Sequence, residues 1–88
     1  MKFFDFMNML DEFGAYVIDE HKHGDCTMRI YAVENLRIII EYFDVEGLEA
    51  IFMLKILSGE GTCWNDVTPK KGVKNRWDLI RERLRQGF

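Results

Sequence analysis

The sequence predicts one α+β domain spanning residues 1–88, in which a short antiparallel sheet of three strands packs against two or three helices. Three observations lead to this reading. The chain has 88 residues, 48% of them hydrophobic and 14% aromatic, which is enough for one modest core and argues against disorder. Apolar residues recur at three- and four-residue spacing in three segments. Between the first two of these, the chain alternates or is rich in β-branched residues.

In chain order, residues 2–13 read as a helix, because Phe3, Phe6, Met7, Leu10 and Phe13 form a stripe, with Asp5, Asn8, Asp11 and Glu12 largely outside it. Gly14 supplies its stop. Residues 15–21 read as a strand, and Lys22-His23-Gly24-Asp25 as a turn. Residues 26–33 alternate, placing Cys26, Met28, Ile30 and Ala32 on one face of a hairpin partner. Residues 36–43 fit two periods. A helix would pair Arg37 with Glu41, but three consecutive isoleucines favour a strand with Leu36, Ile38, Ile40 and Tyr42 on one face. Residues 47–57 read as a second helix through Leu48, Ile51, Phe52, Lys55 and Ile56, ended by Ser58-Gly59-Glu60-Gly61. Residues 62–72 read as irregular, with a turn at Thr68-Pro69-Lys70-Lys71-Gly72. Residues 73–85 read as a last helix with Val73, Trp77, Ile80 and Leu84 inward, within a basic C-terminal helical segment, 70–88.

Charge is divided unevenly along the chain. Residues 1–66 hold 13 Asp and Glu against five Lys and Arg, whereas residues 67–88 hold two against seven. The overall net charge of −3 is unfavourable for indiscriminate binding to nucleic acid. No stretch of the sequence is apolar enough to span a bilayer, since Leu48 to Leu57 contains Glu49 and Lys55. The apolar start is broken by Asp5, Asp11 and Glu12, so it does not read as a secretory leader. A cytoplasmic location with Cys26 and Cys63 reduced is the expectation, with no membrane partner.

The acidic body suggests a non-enzymatic protein-binding factor, of an inhibitor or immunity type, that occupies a basic surface on a protein partner. Asp11, Glu12, Asp19 and Glu20 are its candidate contacts, with Tyr16 and Trp64 as aromatic anchors. The alternative is nucleic-acid or ribonucleoprotein binding through Lys70, Lys71, Lys74, Arg76, Arg81, Arg83 and Arg85. A further alternative is a homo-oligomer, a structural homodimer in which the basic end of one chain meets the acidic body of another. His21, His23, Cys26 and Cys63 are zinc-competent residue types, but their spacing matches no established zinc signature, so no metal or other cofactor is assigned. Cys26 with a nearby histidine lacks any sign of an activating geometry, and Gly59-Glu60-Gly61-Thr62 lacks the rest of a phosphate loop. No enzymatic activity is expected from this pattern.

Overall fold

The structure is a computed structural model that describes residues 3–68. It is β-rich: one helix, α1 (Phe3–Glu12), precedes five strands, β1 (Tyr16–His23), β2 (Cys26–Val33), β3 (Leu36–Phe43), β4 (Ala50–Glu60) and β5 (Cys63–Asp66). All five form one antiparallel sheet whose spatial order follows the chain, β1-β2-β3-β4-β5.

This corrects the expected fold class of a three-stranded sheet with two or three helices. The main cause lies in residues 47–57, which were expected to be helical and instead contribute most of the longest strand. Their apolar residues satisfy both a helical and an alternating period. The alternating one prevails because β3 has backbone groups free on its second side, and β4 pairs them along its whole length, from Leu36 opposite Ser58 to Phe43 opposite Ala50. Along β4 the side chains of Leu54 and Ile56 are buried and that of Lys55 is exposed, as a pleated strand requires. Part of the segment expected to be irregular folds back as β5, with Cys63 opposite Glu60 and Asp66 opposite Leu57. The helix expected over residues 73–85 lies outside the described residues.

The expected first helix and first three strands are present. Helix α1 stops in a Schellman arrangement: Gly14, at φ +74°, donates to the Asp11 carbonyl, and Ala15 donates to that of Leu10. Buried Phe6, Met9 and Leu10 face the sheet. They join Tyr31 and Val33 of β2, Leu36, Ile38, Ile40 and Tyr42 of β3, and Leu54 and Ile56 of β4 in one core. The Phe3 ring lies 4.8 Å from that of Tyr42, and the Tyr31 hydroxyl donates to Met7 Sδ at 3.2 Å, so both the start and the middle of α1 touch the sheet.

Three of the four strand connections are two-residue turns, at Gly24-Asp25, Glu34-Asn35 and Gly61-Thr62. In each, the first residue has positive φ, which matches the right-handed twist of the flanking strands. Residues 44–49 make the fourth connection around a turn closed by the Leu48 amide on the Val45 carbonyl, with Gly47 at φ +83°. No helix among the described residues is long and apolar enough to cross a membrane.

Candidate functional site at the α1–β1 corner

Strand β1 is one edge of the sheet, and all eight of its residues are exposed. The edge position explains why: β2 lies on one side, and α1 covers the neighbouring strands. Directly opposed residues in an antiparallel ladder share a face. Val17, Glu20 and Lys22, opposite Tyr31, Arg29 and Thr27, therefore stand on the face that carries α1. Tyr16, Asp19, His21 and His23 stand on the other. A bulge between Val17 and Asp19, at Ile18, divides the strand into a short apolar start and a charged remainder.

The start is unusual for a surface strand. Tyr16 is 63%, Val17 45% and Ile18 48% exposed. Asp11 and Glu12 are exposed at the end of α1, four and three residues before Tyr16's neighbour Ala15. Neither makes an ion pair among the described residues. Between α1 and β1–β2 runs a groove of about 370 Å³ lined by Met7, Leu10, Asp11, Val17, Arg29 and Tyr31.

The acids of β1 itself are engaged differently. Asp19 uses one carboxylate oxygen to accept the Glu20 amide at 2.9 Å, while its other oxygen lies 3.0 Å from His21 Nε2. Glu20 accepts from Arg29 Nε at 2.6 Å and has Lys22 Nζ at 4.0 Å. Arg29 also donates to the Tyr31 hydroxyl at 3.3 Å and lies over the Tyr42 ring. Burial disfavours the Arg29 cation, but the hydrogen bonds to Tyr31 and Glu20 outweigh it and hold the guanidinium pKa above its ordinary value. Glu20 is thereby held against Arg29, whereas Asp11, which lines the groove, and Glu12 carry no ion pair among the described residues.

The structure puts Asp11 and Glu12 at the end of α1 and Glu20 on the same face of the sheet, Tyr16 and Asp19 on the opposite face of β1, and Trp64 at the far edge. Trp64 lies on β5 at the opposite edge, where its indole N–H donates to the Gly61 carbonyl and the Arg37 guanidinium sits 5.0 Å above its ring. Those contacts fasten the β4–β5 turn. Val17, Ile18, Arg29 and Tyr31 were not among the residues expected at the site. The one signal available for Val17 and Ile18 was the run Tyr16-Val17-Ile18, three apolar residues in succession where a half-buried strand would alternate.

His21, His23 and Cys26 reach the same side of the sheet, with His21 opposite Met28 and His23 opposite Cys26. Together with Glu41 and Phe52 they border a cavity of about 240 Å³. Cys63 lies at the far edge on β5, away from them. Among the described residues no group of three or more His, Cys, Asp or Glu side chains is placed to hold a metal ion. The basic candidates Lys70, Lys71, Lys74, Arg76, Arg81, Arg83 and Arg85 lie outside the described residues. No family model, curated protein or solved structure matches the chain.

Proposed function

We propose that this chain is a non-enzymatic protein-binding factor, of an inhibitor or immunity type, that docks its α1–β1 corner on a basic surface of a target protein. The observation that supports this reading is a groove lined by Asp11 and the exposed Val17, with Asp11 and Glu12 exposed and lacking a cationic partner among the described residues and the exposed Tyr16 next to Val17 on the opposite face of β1. The carboxylates attract and orient a cationic target over distances up to a Debye length, about 8 Å at physiological salt. The aromatic and aliphatic side chains then lose water on contact, which is the short-range part of the affinity. Asp19 and Glu20 extend the negative edge along β1.

The test is capture of the target from host lysate by the wild-type chain, with and without nuclease, followed by titration of the purified target with wild type and with the Asp11→Lys/Glu12→Lys variant. Salt-dependent binding that the reversal weakens by at least about tenfold is expected. Binding to the captured protein that ignores this reversal overturns the assignment to this corner. Capture that disappears with nuclease overturns the protein-binding reading itself and favours the basic residues of 70–85.

A further inference from the structure

We infer that two copies of the chain pair in antiparallel fashion through residues 19–23 of β1, making one continuous sheet across a two-fold axis at His21. The inference goes beyond the proposed function; it shares Asp19 and Glu20 with that reading, but the bulge at Ile18 leaves Tyr16, Val17, Asp11 and Glu12 outside the paired segment.

The argument begins with the backbone. Opposed residues in an antiparallel ladder alternate between pairs that exchange hydrogen bonds and pairs that do not. The Glu20 amide donates to the Asp19 side chain rather than to β2, so Glu20 belongs to a pair that points its backbone groups away from β2. By alternation Lys22 does too, while His21 and His23 bond inward. An added antiparallel strand must match outward residues with outward residues.

A second copy therefore has three central registers. With the axis at Glu20, the two Glu20 carboxylates face each other. With the axis at Lys22, the two ammonium groups do. With the axis at His21, Glu20 of each copy meets the partner's Lys22, and Asp19 meets the partner's His23, each pair occurring twice by symmetry. Only this third register sets an acid against a lysine or histidine at every pair except the axial one. It also supplies the Glu20 amide with the partner's Lys22 carbonyl, releasing the Asp19 carboxylate to turn toward the partner's His23.

The same features explain why such an edge does not accept strands indiscriminately. Edge strands are commonly guarded by bulges and charges, and β1 has the bulge at Ile18 together with Asp19, Glu20 and Lys22. A guard made of an acid-acid-His-Lys-His run excludes strands that do not mirror it, and the sequence of β1 read backwards is such a mirror. All eight residues of β1 are exposed, so none of the described residues covers this edge.

Sedimentation equilibrium of the full chain tests the inference. The wild type is expected to show a monomer–dimer equilibrium at or below millimolar concentration. Lys22→Glu, which leaves the Glu20–Arg29 contact intact, is expected to weaken association about tenfold. The double variant Glu20→Lys/Lys22→Glu is expected to recover most of that loss, provided circular dichroism shows it folded. A His21→Cys variant in a Cys26→Ser/Cys63→Ser background supplies an independent readout. Its two thiols would lie on Cα atoms about 4.5 Å apart across the axis, within disulfide reach, so oxidation links the dimer covalently. The equivalent His23→Cys variant, facing the partner's Asp19, does not link. A wild type that remains monomeric at millimolar concentration overturns the inference, as does equal cross-linking at 21 and 23. Either result leaves the reading of target binding through Asp11 and Glu12 standing, since those two residues take no part in the pairing.

Discussion

Glu34, at φ +49°, occupies the same position in the β2–β3 turn that Gly24, at φ +58°, occupies in the β1–β2 turn. Gly61 holds the corresponding place in the β4–β5 turn at φ +61°. Three two-residue turns with positive φ at the first loop position thus carry two glycines and one glutamate. A left-handed backbone costs an L-residue roughly 1–2 kcal/mol, whereas glycine adopts it freely.

Glu34→Gly is therefore expected to stabilise the fold. The relieved strain is partly offset by the greater freedom that glycine has in the unfolded chain, leaving a gain of about 0.5–1 kcal/mol. Urea unfolding of the two proteins checks this through a rise in midpoint at unchanged slope. A lower midpoint would show that the Glu34 side chain contributes more than its backbone costs.

Arg29→Lys should destabilise the fold although charge is conserved. One planar guanidinium serves Glu20 and the Tyr31 hydroxyl while lying 5.4 Å from the Tyr42 ring centroid. An ammonium cannot meet those three demands from one position. Because the Glu20 side chain is 35% exposed, solvent screening reduces the contribution, and a loss of about 1 kcal/mol is expected in urea unfolding. An unchanged midpoint in Arg29→Lys would reduce the cluster to a surface ion pair.

The Asp66 carboxyl is held below its ordinary pKa by the Thr68 hydroxyl and the Thr68 amide, which both donate to Oδ1. A carboxylate with a depressed folded pKa adds stability above its unfolded pKa and loses it as pH falls through the folded one. Thr68→Val removes the hydroxyl donor, so the Asp66 titration followed by carbon-detected NMR should move up toward the usual aspartate range. The contribution of Asp66 to acid stability should shrink over the same interval. A titration that stays where the wild type has it would assign the depression to the backbone amide alone.

Much of the fold was legible because single periods dominate its first half. The α1 stripe, the alternation of Cys26 to Val33 and the run of Ile38, Ile39 and Ile40 each admit one structure once β-branching is weighed. Residues 48–57 carry apolar side chains at so many positions that both periods fit, and the choice rests on an unpaired side of β3 that no local window contains. Strand β5 left a weaker trace still. Gly61-Thr62 is a two-residue turn with glycine first, but Cys63-Trp64-Asn65-Asp66 does not alternate. Its close pairing depends on Gly59, where an added Cβ would overlap the Cys63 carbonyl oxygen. The site was legible to the extent that Asp11, Glu12, Tyr16, Asp19 and Glu20 are near one another in sequence. That β1 is an edge, and that Trp64 lies across the sheet from it, follow from strand order, which composition does not encode.

The agreement between chain order and strand order also bears on how the molecule assembles. Every ladder joins strands adjacent in sequence, across three two-residue turns and the loop of residues 44–49. The entropy lost in closing each hairpin is small, so the sheet has a low contact order for an all-antiparallel protein. The exception is α1, whose Phe3 must meet Tyr42 from the far end of the described chain segment that β1 to β3 occupy. Zippering of the hairpins should therefore run ahead, and the arrival of α1 over Ile38, Ile40 and Ile56 should be the event that commits the chain to its native state.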